Sequence, residues 1–511
     1  MKTIKILLFF ICTASFIPSC TEGFEELNTR PDVLTADAVD ASLIGQAFAQ
    51  SQWTGMHGLH WRFQISQSLF SDLYSQYFAT TAANFDSDRY TEVGRWIDLA
   101  WQSFYGQAAP QIKFVEDLSA SEGLTVENAI AKIWKVQAYH RQTDYWGPII
   151  YSQYGNGETS VAYDSQEEIY TSFFQTLGEA ITTLESNRGA NAFGSNDQIY
   201  GGDADKWLTF ANSLRLRLAL RVKYVSPGLA QSEAEKSVAS GVMESNADNA
   251  FVATTQNSMN PYSTITNWGE FRMSATMESI LKGYDDPRLA AYFNPAASGD
   301  TDGDGNPYEG LRNGQPKVDK VPALNSDNSD MNTRWLPSGE NPPIKVMTAA
   351  EVFFLRAEGA LEGWNMGGDA QALYESGITT SMGEIAGADA SAYVTSSATP
   401  AAADASSPPV SDVPIAFGGS SETQLEQIIT QKWIALYPDG WEAYSEKRRT
   451  GYPKTYPLIA SDNPTVGVDQ QMRRMTFVDS EFSNNGAAVT AAEALLSGSD
   501  DNATKLWWDK K

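Results

Sequence analysis

Apolar side chains recur along much of the chain at steps of three and four residues, a spacing that places them on one face of an α-helix. The clearest example lies within residues 203–225, where a single apolar stripe is formed by Trp207, Phe210, Leu214 and Leu218. The same spacing predicts helices over residues 97–118, 126–145, 165–185, 348–364 and 423–436, and over residues 41–80 with an interruption. Alternating β-branched positions are scarce, so the pattern predicts a mainly α fold.

The predicted helices of the first 225 residues come in pairs of roughly repeat size, which favours a tetratricopeptide-like stack. No repeat consensus can be aligned, so only the pairing supports this architecture. Asp164 and Ser165 precede Glu167 and Glu168, an order typical of a helix N-terminus because carboxylates are favoured near the positive end of the helix dipole.

Two irregular stretches separate the helical regions. Residues 294–345 are rich in Asp, Gly, Asn and Pro, and residues 384–422 form an Ala/Ser/Pro-rich tract. Both compositions predict surface loops. We therefore expect a single domain over residues 41–511. Its expected parts are helical repeats at 41–225 and 346–440, a loop-rich ligand-binding part at 226–345 and 384–422, and a C-terminal segment at 441–511.

The first residues have the pattern of an export signal. Lys2 and Lys5 precede an apolar run over residues 6–16, which matches a secretory signal peptide and is too short for a membrane-spanning helix. Ser19-Cys20 resembles a bacterial lipobox, and this resemblance implies cleavage before Cys20 and lipidation of that residue. Residues 20–40 would then be a lipidated tether. An ordinary signal peptide with a chance cysteine is the alternative.

Charge and cysteine content exclude several classes of function. The 511 residues include 36 Lys+Arg and 63 Asp+Glu, a net charge of −27 that would repel nucleic-acid phosphates, so no nucleic-acid partner is expected. Three His and two Cys cannot build a disulfide scaffold or a zinc finger. His57 and His60 have metal-ligand spacing but no third histidine nearby. No nucleophile elbow, Walker loop or dinucleotide fingerprint is present, so no catalytic residue and no cofactor other than calcium is predicted.

Several sequence blocks together resemble one known family. They are Phe24-Glu25-Glu26-Leu27-Asn28 after the lipobox, Thr143-Asp144-Tyr145-Trp146-Gly147-Pro148, Asp205-Lys206-Trp207 leading into Asn212-Ser213-Leu214-Arg215, Thr348-Ala349-Ala350-Glu351, and Gln431-Lys432-Trp433 continuing to Arg449-Thr450-Gly451-Tyr452-Pro453. In order and spacing the chain resembles the SusD/RagB family of outer-membrane nutrient-binding lipoproteins, over nearly its whole length.

This resemblance implies a fold, a ligand class and a partner. The fold is an α–α superhelix of tetratricopeptide-like pairs with a loop-rich, irregular second part. The ligand is an oligosaccharide or a peptide, which the protein would bind without cleaving it. The partner is a SusC-like TonB-dependent transporter, and the lipid anchor would hold the protein on the outer membrane, facing outward. Two other functions remain open: a lipid-anchored glycoside hydrolase, and a tetratricopeptide scaffold without a ligand of its own.

Binding of a sugar needs aromatic faces for its C–H surface and amides or carboxylates for its hydroxyls. Two regions offer both kinds of side chain, and for each ring the alternative is packing in the core. The first region contributes Tyr77, Asn84, Phe85, Asp88, Arg89, Tyr90 and Trp96. The second contributes Tyr262, Asn267, Trp268 and Phe271, and within it Asn267-Trp268-Gly269 places a ring beside turn residues.

An acidic loop resembles the start of an EF-hand. Carboxylates at positions 1, 3 and 5 precede a glycine at position 6, a pattern that suits Ca²⁺. Position 12 is Leu311 where a glutamate is expected, and a solvated acidic turn is the alternative. The candidate ligands of a structural calcium ion are Asp300, Asp302, Asp304 and Asn306.

Two groups within the family blocks are predicted to be structural. Trp433 lies on an apolar stripe, like Trp207, and should be buried in the core. Arg448 and Arg449 lie close to Glu442 and Glu446 and are expected to form an ion-pair network with them.

Overall fold

The computed structural model of the chain describes residues 43–336 and 338–511. The signal peptide, Cys20 and the tether therefore lie outside the described residues. Residues 44–511 form one compact unit. None of the described helices is both long enough and apolar enough to span a bilayer.

Helices dominate the described residues, which confirms the prediction of a mainly α fold. Those of the N-terminal half are α1 (Ile44–Gly55), α2 (His60–Phe63), α3 (Ser71–Tyr74), α4 (Gly94–Ser103), α5 (Ala109–Ser121), α6 (Thr125–Trp146), α7 (Gln166–Glu185), α8 (Ala204–Arg221) and α9 (Pro227–Ser240). Then follow α10 (Pro261–Asn267), α11 (Ala275–Gly283), α12 (Leu289–Tyr292), α13 (Leu324–Asp327), α14 (Ala349–Leu361), α15 (Ala370–Ile385), α16 (Ser421–Leu436), α17 (Gly440–Thr450), α18 (Asp479–Asn484) and α19 (Gly486–Glu493).

Successive helices pack against one another in pairs. Helix α6 packs on α7, α8 on α9, and α14 on α15. The start of α7 is as the sequence predicts: Ser165 is the N-cap and forms a capping box with Glu168. The side chain of Asp203 caps α8 in a similar way, accepting hydrogen bonds from the backbone N–H groups of Asp205 and Lys206.

Two expected boundaries differ from the structure. Helix pairing continues to Ser240, because α9 begins with Pro227 and packs on α8, so the helical part extends past residue 225. The helical pattern that the sequence predicts over residues 41–80, with one interruption, is divided in the described residues into the three short helices α1, α2 and α3. It is broken at His57, whose φ of +53° is incompatible with a right-handed helix, and again by a π-helical turn at Gln64–Ser68.

Strands are few and short in the described part of the chain. Strand β1 (Phe78–Thr80) pairs antiparallel with β3 (Phe271–Met273), with Phe78 opposite Met273 and Thr80 opposite Phe271. Strand β2 (Ala250–Val252) pairs antiparallel with β4 (Ile344–Met347). Each pair joins segments far apart in sequence, so the strands fasten the loop-rich part onto the helices.

Charged side chains occupy the interior between the helices. Arg221 on α8 forms ion pairs with Glu442 and with Glu446 on α17. Arg449 lies 2.6 Å from Glu446 and 2.6 Å from Glu358 on α14, and all of these side chains are buried. The predicted network around Glu442, Glu446 and Arg449 is confirmed.

The other predictions for this region have mixed outcomes. Trp207 and Trp433 are fully buried, as expected. Arg448 was expected in the ion-pair network, but it has no carboxylate within 4 Å among the described residues. Its guanidinium lies over the ring of Tyr444 at 3.8 Å and over that of Trp508 at 5.0 Å. It also donates to the carbonyl of Arg473 at 2.8 Å, so cation–π contacts and hydrogen bonds hold it.

Candidate functional site

Pairing of β1 with β3 brings the two predicted ligand-binding regions together. The hydroxyl of Thr80 donates to the carbonyl of Glu270 at 2.7 Å, and the backbone N–H of Thr81 donates to the same carbonyl at 3.0 Å. The sequence predicted both regions separately, and nothing in it indicated that they are neighbours. The structure joins them into one face of the loop-rich part.

An exposed group of apolar side chains lies beside this strand pair. Trp268 follows the last residue of α10 and is 40% exposed, and Trp61 on α2 is 36% exposed. Leu59, at the N-cap of α2, is 41% exposed. The ring of His60 meets that of Trp268 edge to face at 5.5 Å, and α2 packs on α10. We call Leu59, His60, Trp61 and Trp268 the ring platform.

Polar groups surround the ring platform. The side-chain amide of Gln64 donates to the carboxylate of Glu270 at 2.7 Å. Partial burial raises the pKa of Glu270, and the bond from Gln64 opposes that shift. The guanidinium of Arg62 lies 4.4 Å from the centre of the Trp61 ring, and its Nε has no hydrogen-bond partner among the described residues. The exposed amide of Asn267 adds a donor and an acceptor.

A cleft of about 250 Å³ adjoins the platform at Leu59. Its other lining residues are Gln50, Trp53, Thr54, His57, Gly58, Arg62, Ser103 and Gln107. His57 is buried, and its Nδ1 lies 3.3 Å from the hydroxyl of Ser103. Burial, with the charges of Arg141 and Arg62, lowers the pKa of His57 to about 3, so its ring is neutral at pH 7. Its Nε2 is buried and has no hydrogen-bond partner among the described residues.

Four of the predicted ligand residues retain exposed surface. Asn84, Asn267 and Trp268 are exposed, and Trp96 on α4 is half-buried. The ring of Trp96 meets Phe85 edge to face at 5.9 Å. Each of these side chains lies in a loop or near a helix end and keeps part of a ring or an amide accessible, as binding of a sugar requires.

Other predicted rings lie in the core in this structure. Phe85 and Phe271 are buried and stack on each other at 5.9 Å, beneath the strand pair. The hydroxyl of Tyr77 donates to the carbonyl of Trp433 at 2.5 Å, and its ring is fully buried. The ring of Tyr90 is also buried. Sequence patterns do not separate these rings from exposed ones, because the burial arises from contacts between distant segments.

The two charged residues predicted in the first region have partners within the protein. Asp88 forms a buried ion pair with Lys320 at 3.0 Å. Arg89 pairs with Asp86 and with Asp462, each at 2.6 Å. These contacts hold the loop in place and pair both predicted charges with other side chains.

Tyr262 also has a structural role. Its hydroxyl donates toward the carboxylate of Asp72 at 2.8 Å and lies at the same distance from the carbonyl of Pro438. Burial is the main reason that the pKa of Asp72 rises to about 7. This contact fixes α10, and therefore Trp268, against α3.

Sequence patterns do not single out Trp61, Arg62 or Gln64. The available signal is Gly58-Leu59-His60-Trp61, a ring close to a turn, which is the same feature that indicates Trp268. This signal is not specific, because Trp146 precedes Gly147 at the end of α6 and is fully buried.

The acidic loop brings three predicted carboxylates together. One oxygen from each of Asp300, Asp302 and Asp304 lies within 4.8 Å of the others, and Asp302 also approaches Glu278 and Glu309. The amide oxygen of the fourth candidate, Asn306, accepts the backbone N–H of Tyr308 at 3.2 Å. The ammonium of Lys282 lies 2.7 Å from Asp304 and neutralises part of the cluster. Binding of calcium here stays a prediction.

Comparison with known proteins agrees with the fold and with the sequence blocks. The family of SusD-like proteins, described as SusD and RagB outer membrane lipoproteins, matches residues 26–509. A search of curated proteins returned no match.

Solved structures give the same result. A chitin-binding SusD homologue from Flavobacterium johnsoniae is 37% identical, with 92% of this chain and 99% of that chain covered and a TM-score of 0.85. A SusD homologue from Bacteroides vulgatus is 34% identical, with 91% and 97% covered and a TM-score of 0.83. One from Bacteroides ovatus is 32% identical, with 93% and 100% covered and a TM-score of 0.84. This chain therefore belongs to the SusD-like family of SusD/RagB outer membrane lipoproteins.

Proposed function

We propose that this protein binds an uncharged oligosaccharide on its ring platform and in the adjoining cleft, and passes it uncleaved to a SusC-like TonB-dependent transporter. The observation that carries this proposal is the pair of exposed tryptophans on adjacent short helices. Among the described residues, Trp61 and Trp268 are the tryptophans exposed by more than a third, whereas most others are buried. Indole rings left in water are typical of a binding surface.

The chemistry of the site suits a neutral sugar chain. Indole faces pack against the C–H face of a pyranose ring, and the amides of Asn267 and Gln107 can exchange hydrogen bonds with its hydroxyls. His57 and Arg62 add a neutral imidazole and a guanidinium to the lining of the cleft. A net charge of −27 disfavours polyanionic ligands. The chitin-binding relative from Flavobacterium johnsoniae supports a chito-oligosaccharide as the first ligand to test.

The absence of cleavage is part of the proposal. Glycosidases usually place two carboxylates on opposite sides of the scissile bond. The residues named for the platform and the cleft include one carboxylate, Glu270, and it already accepts the hydrogen bond from Gln64. A lipid-anchored glycoside hydrolase remains the competing function.

Calorimetric titration of the purified protein with chitohexaose, and with malto-, cello- and manno-oligosaccharides, tests the ligand class. We expect binding of at least one of them, lost in the variants Trp268→Ala and Trp61→Ala and kept in Phe482→Ala. Phe482 is a matched control because its ring is equally exposed, at 40%, and lies on α18. Equal affinity of the wild type and both tryptophan variants would contradict the proposed site, and shortened products after incubation would favour the hydrolase.

The proposed location and partner have separate tests. We expect the variant Cys20→Ala to leave the membrane fraction, and protease added to intact cells to digest the wild type. We also expect the protein, solubilised in mild detergent, to co-purify with a TonB-dependent transporter from its own cells. If no ligand binds while co-purification persists, the chain is a scaffold of the envelope.

A further inference from the structure

A second cleft, of about 360 Å³, lies apart from the ring platform and shares none of its residues. The segment that follows α17 and residues 468–471 form most of its wall. Its lining includes the side chains of Gln76, Tyr90, Lys447, Pro453, Lys454, Tyr456 and Gln471. A volume of this size is within the range of sites for small molecules.

The unusual group in this cleft is Lys447, in the last turn of α17. Its side chain is 2% exposed, and its ammonium donates to the carbonyl of Tyr74 at 3.2 Å. No carboxylate lies within 4 Å of it among the described residues, and no second hydrogen bond is formed there. Lys432 and Arg449, nearby on α16 and α17, each have a buried carboxylate partner. A buried cation without a counter-ion is costly unless a ligand supplies one.

Two facts about the surroundings agree with an anionic ligand. Burial, together with the charge of Arg473, lowers the pKa of Lys447 to about 7, so a bound anion would restore the charged form. The charged groups on the rim are engaged or exposed: Lys454 pairs with Glu426 at 3.0 Å, and Asp469 is in solvent.

The remaining lining groups indicate which anion. The side-chain oxygen of Gln471 is buried without a partner among the described residues, so it can accept a hydrogen bond from a hydroxyl. The hydroxyls of Tyr90 and Tyr456 already donate to backbone carbonyls at 3.0 and 2.7 Å, which leaves their rings as apolar walls. Besides the paired Lys454 and the exposed Asp469, the cleft therefore offers one cation without a carboxylate partner among the described residues, one free acceptor and two rings.

We propose that this cleft binds a small hydroxylated carboxylate of the sugar-acid type, with the carboxylate on Lys447 and a hydroxyl on Gln471. A free sugar acid and the acidic end of an oligosaccharide share this chemistry. A single negative charge is repelled by the acidic protein far less than a polyanion is, so the ligand agrees with the net charge.

The test is calorimetric titration of the full-length protein with D-glucuronate, with glucose as the uncharged control and acetate as the carboxylate without hydroxyls. We expect glucuronate to bind at least about tenfold more tightly than acetate, and glucose not to bind. The variant Lys447→Met should lose about tenfold or more in glucuronate affinity, while Lys454→Met, a lysine on the same rim, should change it less than about threefold. A disaccharide that ends in glucuronate distinguishes the two sources of the carboxylate. If it binds more tightly than free glucuronate, the ligand is the acidic end of a chain. If it binds more weakly, the ligand is the free acid.

A second variant keeps the proposal testable if Lys447→Met does not fold. Gln471→Leu should weaken glucuronate binding and leave acetate binding unchanged. Trp268→Ala should leave glucuronate binding intact, so this proposal and the platform proposal can fail separately. Absence of glucuronate binding to the wild type, or equal binding by Lys447→Met and the wild type, would overturn the assignment.

Discussion

The helical interior and the ring platform reverse the usual placement of charged and apolar groups. Between α8, α14 and α17, the charges of Arg221, Glu358 and Arg449 are buried and paired. On the platform, the indoles of Trp61 and Trp268 remain in solvent. The difference indicates that directional contacts orient the helices inside, whereas the outer face keeps its apolar surface free for a partner.

Aromatic rings show the same division. In the interior, Trp441 stacks on Tyr145 with ring centres 3.6 Å apart, and its indole N–H donates to the carbonyl of Arg141 at 2.8 Å. On the platform, the contact of Trp268 with His60 is edge to face and leaves the ring partly open. A ring with both faces covered stabilises the fold, and a ring with a free face can bind.

The largest effect is expected from breaking the buried network. In Arg449→Met, the carboxylates of Glu358 and Glu446 lose a shared partner and stay buried, which should lower the free energy of unfolding by about 3–5 kcal/mol. Chemical denaturation measures this change. Arg188→Ala is the control, because Arg188 and Asp205 form an exposed ion pair, for which less than about 1 kcal/mol is expected. Equal losses of unfolding free energy in the two variants would show that the buried network contributes no more than an exposed ion pair.

Acid should also weaken the interior, through the buried carboxylates of the network. Burial by itself would raise the pKa of Glu358, but Arg449 and Lys223 lower it to about 2; the pKa of Glu442 is likewise about 2, mainly through Arg221 opposing burial. Both values lie below the ordinary 4.5. This stabilisation is therefore complete above about pH 4.5 and is lost as the pH falls toward 2. Denaturation at pH 7, 4 and 3 should show falling stability, and a flat profile would contradict it.

A smaller effect, on ligand affinity rather than on stability, is expected at the platform. Trp268→Ala should weaken oligosaccharide binding by about 2 kcal/mol, or roughly thirtyfold, with little change in stability. Trp441→Ala should instead cost about 3–5 kcal/mol of stability, since a fully buried indole is removed. Calorimetry and thermal melting of both variants test this contrast. A large loss of stability in Trp268→Ala would place that ring in the core.

The smallest effect is expected at the acidic loop. If Ca²⁺ binds Asp300, Asp302 and Asp304, millimolar calcium should stabilise the fold by about 1 kcal/mol. The melting temperature should then be slightly higher in calcium than in a chelator control. Asp302→Asn should abolish this shift, because Asp302 belongs to both carboxylate groups. No difference between calcium and chelator would leave the loop as a solvated turn held by Lys282.

Periodicity and turn chemistry by themselves indicated α6, α7, α8, α14 and α16, the capped start of α7 and the buried state of Trp207 and Trp433, but not α9 or α15. These features depend on local spacing, which the sequence contains directly. The sequence blocks also indicated the family, and Asn267-Trp268-Gly269 indicated an exposed ring.

Only the tertiary structure decided which rings are free. Tyr77 and Trp96 belong to the same predicted region, yet one is fully covered, with Trp433 against it, and the other is only half-buried. The pairing of β1 with β3, the exposure of Trp61 beside Trp268 and the absence of a carboxylate near Lys447 among the described residues all arise from segments that are distant along the chain. Burial and pairing are properties of the folded neighbourhood, and local spacing does not encode which distant segment fills it.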